Sequence, residues 1–187
     1  MRLFVALYPP EHVADDFAAR VEGLRVSQAL RDGVNTRVAA RVNWHVTLAF
    51  LGDAPDDRLA DAATAVERAA ALASPFEVRL TGGGRFGRGK FTLLWAGVGG
   101  DISALGGLSR VVRRELKRAR LAYDPKPLRP HLTVARPGER IDRVAVDADR
   151  AALDAYEGPS WTVSEVVLMR SNPGPNPTYD RIGAWPL

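Results

Sequence analysis

One short pattern occurs twice in the sequence, and it constrains the fold more than any other feature. The segments WHVTLA, at residues 44–49, and PHLTVA, at residues 130–135, both place histidine, threonine and alanine at alternate positions with branched aliphatic residues between them. Such alternation is typical of a β-strand with one buried face. Two matching strands far apart in the chain predict two similar halves that meet at a pseudo-twofold axis.

The alternation also predicts which side chains share a surface. Successive side chains of a strand point to opposite faces, so His45 and Thr47 share one face of the first strand, and His131 and Thr133 share one face of the second. Each strand therefore presents one imidazole and one hydroxyl. If the two halves pack about the pseudo-twofold axis, the two imidazoles face each other across a cleft.

Paired imidazoles of this kind suit the hydrolysis of a phosphodiester. In-line displacement needs a base that takes a proton from water and an acid that protonates the leaving oxygen, and histidine, with a pKa of about 6.5, serves either purpose near neutral pH. The hydroxyls of Thr47 and Thr133 are placed to donate hydrogen bonds to the non-bridging oxygens, where negative charge develops. One His-x-Thr arises easily by chance, but two copies that use two of the three histidines favour a functional pair. The third, His12, is predicted to be a solvated residue in the first turn of a helix.

Residue counts exclude several classes of function. The chain contains no cysteine, which excludes disulfides, thiolate zinc sites and a cysteine nucleophile. With three histidines, a metal centre built mainly of imidazoles would need nearly all of them. No apolar run approaches the about 18 residues of a membrane span, and the run in MRLFVALYPP is too short for the core of a signal peptide. We therefore expect a cytoplasmic protein with no membrane partner.

The charge balance favours a polyanionic partner such as RNA. The chain carries 26 Lys and Arg against 22 Asp and Glu, a formal net charge of +4, and nearly all of its basic residues are arginine. Arginine binds phosphate in a bidentate manner, although a genome biased towards arginine codons explains the composition equally well. One face of a predicted helix is also basic, for which solvated surface is the plainer interpretation and RNA steering the alternative. Its residues are Arg110, Arg113, Arg114, Lys117 and Arg118.

The remaining sequence predicts an α+β fold with largely antiparallel sheets, because hairpins and helices occur without strict alternation of strand and helix. One helix is predicted from Val13 until Gly33, which stops the apolar pattern, and others over Asp56–Ala71 and Ile102–Leu121, with a short one over Asp147–Tyr156. A proline-rich turn is predicted at SNPGPNP, before YDRIGAWPL. The predicted strands are RLFVALY, WHVTLAFL, PFEVRLTG, FTLLWAGV, LRPHLTVAR and WTVSEVVLM.

A glycine-rich segment mimics two phosphate-binding motifs. Gly82–Gly87 satisfies G-x-G-x-x-G, and Gly84–Lys90 satisfies the first seven positions of a P-loop. The P-loop needs Ser or Thr at its eighth position, where Phe91 stands, and both motifs need a helix to follow, whereas a strand is predicted there. We therefore interpret 82–90 as a flexible hairpin loop whose basic residues could contact an RNA backbone. These are Arg85, Arg88 and Lys90.

Taken together, these segments resemble the 2H phosphoesterases, and among them the bacterial and archaeal RNA 2′,3′-cyclic phosphodiesterases, also described as 2′-5′ RNA ligases. The resemblance covers nearly the whole chain and rests on RLFVALYPP, NWHVTLAFLG, LLWAGV, RPHLTVAR, WTVSEVVLMRS and the closing YDRIGAWPL. It implies one domain over residues 1–187, made of two intertwined, pseudo-symmetric lobes. The antiparallel sheets of these lobes would face a central groove, with helices on the outside.

The resemblance also implies an activity, the hydrolysis of a terminal RNA 2′,3′-cyclic phosphate to a 2′-phosphate with neither a metal nor another cofactor. We also expect a monomer. In such relatives the first histidine, here His45, is the proton donor and the second, here His131, the proton acceptor, although the nearly symmetric copies leave either assignment open on the residues alone. The resemblance implicates Arg136 in holding the phosphate. Because its odd offset from His131 would place it on the wrong face of a regular strand, the strand is expected to end or bulge near Ala135.

Other functions remain open at this point. A non-catalytic RNA-binding module would explain the basic surfaces but not the paired His-x-Thr strands, and the sequence has neither RNP-type aromatic strands nor a KH-type loop. RNA ligation in the 2′-5′ sense, or hydrolysis of a small cyclic nucleotide, would use the same site. Phe50 stands five residues after His45, as Arg136 stands five residues after His131. It is either a core residue, which we favour, or a base-stacking surface.

Overall fold

The chain folds into α-helices packed on one antiparallel sheet. The computed structural model describes residues 1–174 and 177–187. Within these residues the α-helices are α1 (Glu11–Glu22), α2 (Arg25–Arg31), α3 (Leu59–Ala70), α4 (Ile102–Arg118) and α5 (Arg143–Asp154). The strands are β1 (Arg2–Leu7), β2 (Val46–Asp53), β3 (Phe76–Phe86), β4 (Leu93–Gly100), β5 (His131–Ala135), β6 (Glu157–Val163), β7 (Glu165–Asn172) and β8 (Thr178–Pro186).

The sheet consists of two four-stranded halves. Its strand order is β6-β3-β4-β5-β2-β1-β7-β8, and neighbouring strands are antiparallel. We call β2, β1, β7 and β8 the first half and β5, β4, β3 and β6 the second half. The halves meet where β2 lies beside β5, joined there by the pair Val46 and Leu132. The prediction of an α+β fold with two similar antiparallel lobes is therefore confirmed, and the lobes join edge to edge.

The main core lies between the helices and one face of the sheet. The odd-numbered residues Leu3, Val5 and Leu7 of β1 are buried there with Phe17 of α1. Full burial of an apolar side chain of this size contributes about 1.5–3 kcal/mol to stability. The even-numbered residue Phe4 belongs to a small second cluster on the opposite face of the sheet, with Ala6, Val167 and Met169. That opposite face is the one left open for a site.

The segment WTVSEVVLM forms two strands, not the one that its unbroken alternation predicts. The break falls at Ser164, where the chain leaves β6 in the second half and enters β7 in the first. The carbonyl of Ser164 accepts a hydrogen bond from the N–H of Leu187 at 2.9 Å. Alternation records which face of a strand is buried but not which neighbour the strand pairs with, so the crossing between halves is invisible in the sequence.

The glycine-rich segment is also strand, where the sequence predicted a loop. β3 extends to Phe86, so Gly82, Gly83 and Gly84 lie inside it. A Cβ atom on Gly84 would stand 2.5 Å from the indole ring of Trp95, and one on Gly83 would stand 2.5 Å from Leu153. The glycines are therefore explained by close packing against neighbouring side chains, and neither phosphate-binding motif has its required helix.

The helices differ from the predicted ones mainly at their ends. The single helix predicted from Val13 until Gly33 is two helices in the structure, because α1 ends at Glu22 and a second short helix, α2, follows. The carboxylate of Asp149 on α5 accepts hydrogen bonds from the N–H groups of Arg25 and Val26 at 2.6 and 2.9 Å, which satisfies two free donors at the start of α2. The helix predicted from Asp147 begins four residues earlier in the chain, at Arg143.

Two further expectations concern a proline-rich turn and membrane-spanning helices. The turn predicted at SNPGPNP contains Pro175 and Asn176, which lie outside the described residues. None of the helices in the described part of the chain is long and apolar enough to cross a bilayer.

Candidate active site

The register of β2 and β5 brings the two His-x-Thr sequences onto one face of the sheet. Val46 of β2 pairs with Leu132 of β5. In this antiparallel register, the residues on either side of that pair place His45 opposite Thr133 and Thr47 opposite His131. Directly opposite residues of an antiparallel pair project to the same face, and diagonal neighbours such as the two histidines are about 7–8 Å apart. Two imidazoles and two hydroxyls therefore form one quartet.

Both imidazole rings are held in the same way by the backbone. The Nδ1 atom of His45 lies 2.6 Å from the carbonyl oxygen of Asn43, and the Nδ1 atom of His131 lies 2.6 Å from that of Arg129. A carbonyl oxygen only accepts, so the hydrogen lies on Nδ1 in each ring. The remaining nitrogen, Nε2, is then free to accept a proton when the ring is neutral and to donate one when it is charged.

Aromatic rings surround His45. Its ring centroid lies 4.8 Å from that of Phe4, 5.6 Å from that of Tyr8 and 5.3 Å from that of Tyr179. Burial among these rings lowers the pKa of His45 from 6.5 to about 4; the carbonyl of Asn43 acts in the opposite direction, and positive charge on His131 adds to the lowering. Without a bound anion, His45 is therefore neutral at pH 7.

The phenol of Tyr8 is an unusual part of this aromatic wall. Its hydroxyl is buried, and no hydrogen-bond partner for it lies among the described residues. The pKa of Tyr8 is raised to about 12, mainly by burial and then by the neighbouring Tyr179, while Arg181 acts in the opposite direction. Tyr8 is thus a neutral neighbour of His45 near neutral pH.

His131 has a different surround. The ring of Phe86 meets it edge-on at 4.9 Å, and the indole of Trp95 lies 6.3 Å away. Trp95 is itself held between Phe86, at 5.1 Å, and the backbone of Gly84. His131 therefore rests against one aromatic wall, whereas His45 is enclosed by three rings.

A cleft of about 680 Å³ opens beside the quartet. Thr47 and His131 line it, together with the aromatic residues Phe50 and Phe86. The structure thus places Phe50 at the cleft surface rather than in the main core, where the sequence favoured it. Three cationic side chains also line the cleft: Arg113, Lys126 and Arg129.

Arg136 lies elsewhere. β5 ends at Ala135, as its odd offset predicted, and the N–H of Arg136 then donates to the carbonyl of Arg37 at 3.1 Å. Its side chain is exposed and lines a separate depression with Arg37, Lys90 and Arg140. The strand register brings His45, Thr47, His131 and Thr133 together, and two of them, Thr47 and His131, line the cleft, whereas Arg136 lines the separate depression.

Sequence reasoning did not identify the aromatic wall around the first histidine. Phe4 and Tyr8 share the parity of Ala6 in RLFVALY, the face opposite the core residues, and that was the available signal. Tyr179 comes from a strand whose neighbours the sequence did not reveal. On the predicted basic helix, the structure separates Arg113, which lines the cleft, from Arg114 and Arg118, which both bind the buried carboxylate of Glu115.

Potential metal ligands are scattered in the part of the chain that the structure describes. Over residues 1–174 and 177–187, no three His, Cys, Asp or Glu side chains are grouped so that they could hold an ion.

Comparison with known proteins identifies the family. The family model of the 2′-5′ RNA ligase superfamily matches residues 9–175, most of the chain. The chain belongs to the 2′-5′ RNA ligase superfamily.

Individual relatives agree with this assignment. An RNA 2′,3′-cyclic phosphodiesterase of Thermus thermophilus is 31% identical over 188 residues, covering 96% of this chain and 86% of the relative. One of Geobacillus stearothermophilus is 35% identical over 146 residues, covering 78% of this chain but only 46% of that relative. A crystal structure of a Thermus thermophilus protein superposes with a TM-score of 0.77 at 28% identity, covering 100% of this chain and 98% of that one.

Proposed function

We propose that this protein hydrolyses the terminal 2′,3′-cyclic phosphate of RNA to a 2′-phosphate, with His45 and His131 as acid and base and without a metal ion. The observation that carries the proposal is the quartet of two imidazoles and two hydroxyls on one face of the sheet. Both imidazoles are preset with Nε2 free for proton transfer. The activity named for the relatives gives the substrate class.

The reaction has a simple proton balance. Nε2 of His131 takes a proton from water, and the water oxygen forms a bond to phosphorus while the bond from phosphorus to O3′ breaks. Nε2 of His45 gives its proton to O3′, which leaves as the 3′-hydroxyl. The phosphate remains on O2′. Exchange with solvent then returns the proton from His131 to His45. Each positioned proton transfer contributes about 10²- to 10⁴-fold.

Bound phosphate must prepare His45 for this role. A donor has to carry a proton, whereas burial holds the pKa of His45 near 4 in the ligand-free protein. A phosphodiester anion placed beside the ring favours its charged form and raises its pKa. The substrate therefore brings about the protonation of its own acid, and the ring stays neutral while the cleft is empty.

Thr47 and Thr133 complete the proposed site. Each lies opposite the histidine of the other strand, where its hydroxyl can donate to a non-bridging oxygen of the phosphate. We assign Arg136 to phosphate binding as well. Its place outside the histidine cleft makes a neighbouring phosphate of the strand its target rather than the reacting one.

The deciding experiment is incubation with RNA that ends in a 2′,3′-cyclic phosphate, with and without EDTA. We expect equal turnover in both, and a bell-shaped pH dependence, because one imidazole must be charged while the other is neutral. Binding without turnover would assign the protein to the RNA-binding modules. Loss of activity with EDTA that a divalent ion restores would replace the two-histidine chemistry by metal-assisted hydrolysis.

Product analysis tests the donor assignment separately. Phosphorus NMR should show a 2′-phosphate, which a phosphatase specific for 3′-phosphates leaves intact. A 3′-phosphate would place the donor beside O2′ and so overturn the assignment of His45, although the two-histidine mechanism would survive.

A further inference from the structure

We propose that a basic surface outside the histidine cleft binds the RNA strand upstream of the reacting end. This inference rests on the proposed function, since it assigns a second binding site to the same substrate. The surface consists of the side chains of Arg37, Lys90, Phe91, Arg136 and Arg140, which line one depression of about 530 Å³. We call it the basic shelf.

Charge is the first reason to assign this surface to a nucleic acid. Four cationic side chains line the shelf, and Glu139 is the acidic residue that lines it with them. Among the described residues, none of these four cations lies within 4 Å of an acidic side chain, whereas several exposed arginines elsewhere do. Cations that are not neutralised within the protein can bind phosphates and release the counterions of the strand.

An exposed aromatic ring is the second reason. Phe91 is 73% exposed, and the ammonium group of Lys90 lies 5.1 Å from the centre of its ring. Packing in a core therefore does not explain why a phenylalanine occupies this position. Proteins that bind single strands combine a positive surface for the backbone with aromatic rings on which bases stack. The shelf has both parts.

The backbone of Arg37 is the third reason. Its φ of 51° lies in the left-handed region, which is unfavourable for a residue with a side chain. The carbonyl of Arg37 accepts the N–H of Arg136, and the adjacent Val38 bridges to Ala135. These backbone contacts place Arg37 next to Arg136, and both residues line the shelf. Strain of this kind persists where the surroundings impose it, and it is concentrated at functional sites.

The shelf lies one short strand away from the proposed active site. Phe86 and Gly87 line the histidine cleft, and the chain runs directly from them to Lys90 and Phe91. β5 connects the same two places, since it begins at His131 and ends just before Arg136. Five residues of strand span about 16 Å, the length of several stacked nucleotides at about 3.4 Å each. An RNA strand whose terminal phosphate lies in the cleft can therefore reach the shelf.

The test compares a long and a minimal substrate. The wild-type protein should have a higher kcat/KM for an oligoribonucleotide of about ten nucleotides with a cyclic end than for a nucleoside 2′,3′-cyclic phosphate. In Arg37→Ala/Lys90→Ala/Arg140→Ala this preference should fall by about tenfold or more. The decline of log kcat/KM with log salt should become shallower by about two, because three phosphate contacts at about 0.7 each are removed.

A variant with the same loss of charge is the control. Arg68→Ala/Arg110→Ala/Lys117→Ala removes three exposed cations from α3 and α4. That variant retains all the shelf residues, so it should keep the preference for the longer substrate. Arg20→Ala/Arg68→Ala/Arg150→Ala, which leaves the basic face of α4 intact as well, should behave in the same way. An equal loss in both triple variants would mean that only the total charge matters, and it would overturn the shelf.

Single substitutions separate binding from folding. Arg37→Gly removes the cation but adopts the left-handed conformation without strain, so it should weaken RNA binding and leave the melting temperature unchanged or higher. Phe91→Ala should weaken binding by about tenfold with no loss of stability. Unchanged RNA affinity in both folded variants would overturn the proposal.

Direct binding keeps this test distinct from that of the proposed function. Anisotropy of a fluorescent single-stranded RNA with an ordinary 3′-hydroxyl should report weaker binding to the shelf variants, whether or not the protein turns over cyclic ends. If cyclic ends are not hydrolysed but this affinity depends on the shelf, the function fails and the shelf stands. If the shelf variants lose binding to phosphatidylserine vesicles but not to RNA, the surface is a membrane contact and the shelf proposal is wrong.

Discussion

The two His-x-Thr strands are near copies in sequence, yet they place their histidines in different environments. His45 is enclosed by Phe4, Tyr8 and Tyr179, and burial lowers its pKa to about 4. His131 lies against Phe86 at the side of an open cleft. The local backbone is the same at both, since each Nδ1 is 2.6 Å from the carbonyl two residues earlier. Repetition thus supplies two equivalent rings, and the neighbouring strands make them different.

This difference suits a reaction that needs an acid and a base at the same moment. Two identical imidazoles about 7–8 Å apart would titrate together, and neither would have a preferred role. Enclosure lowers the pKa of His45 by desolvation, so this ring becomes a proton donor only when a bound anion raises that pKa. The comparison of the two surrounds therefore gives a physical basis for assigning different roles to matching residues.

The largest expected effect is the loss of either histidine. His45→Ala and His131→Ala should each lower turnover of a cyclic-phosphate RNA by about 10²- to 10⁴-fold with unchanged circular dichroism, because each removes one of two proton transfers. The double variant should be no worse than the singles if the pair acts as a unit. His12→Ala is the matched control and should retain activity. Wild-type rates in either single variant would refute the two-histidine mechanism.

The threonines come next. Thr47→Val and Thr133→Val should each lower kcat by up to about 10²-fold, since each removes a donor to the oxygens that gain charge. Thr→Ser at the same positions keeps the hydroxyl and should retain most of the activity. Equal losses would indicate that the pseudo-twofold symmetry extends to the phosphate. A loss at one position alone would show that the asymmetry of the histidines includes their partners.

Opening the aromatic enclosure should change the pKa of one histidine. Tyr179→Ala exposes the ring of His45 and should raise its pKa from about 4 towards 6.5, because desolvation is the main cause of the lowering. Titration by NMR, with the His45 signal assigned from His45→Ala, measures the shift. Phe86→Ala, on the other wall, should leave that pKa unchanged. A His45 pKa that stays near 4 in Tyr179→Ala would mean that other groups enclose it.

The smallest expected effect is the uptake of at most about one proton on binding of a phosphate anion. If a bound phosphate raises the pKa of His45, then binding of a non-hydrolysable phosphate anion near pH 7 should take up to about one proton from solution. Calorimetry in buffers of different ionisation enthalpy measures this uptake. His45→Ala should abolish it. Uptake that persists in His45→Ala and disappears in His131→Ala would transfer the donor role to His131.

Much of the proposed site follows from the sequence because it depends on local rules. Strand alternation is enough to place His45 with Thr47, and His131 with Thr133, on shared faces. That inference needs only the geometry of a single strand. The expectation that β5 ends or bulges near Ala135 needed more, since it combined the odd offset of Arg136 with the phosphate-binding role that the resemblance implied, and β5 does end at Ala135.

The rest depends on which strand lies beside which. The three rings around His45 come from β1, the segment after it and β8, and the pairing that assembles them is not encoded in any one of those segments. The glycines of β3 were interpreted as loop because the space they leave is filled by Trp95, on another strand. The sequence predicted that Arg136 follows the end of β5. It did not predict which depression Arg136 lines, because the neighbouring Arg37 lies far away in the sequence.

The crossing at Ser164 has a consequence for the order in which the molecule matures. The second half is built from one continuous stretch, 76–163, which is inserted into the first half between β2 and β7. During synthesis that stretch can form its β-pairings while β1 still has one unpaired edge. β1 pairs with β7 only after the whole insert has emerged, and Tyr179 follows with β8. His131 can thus have its neighbours in place before His45, so a nascent chain would present a formed cleft wall beside an unfinished one.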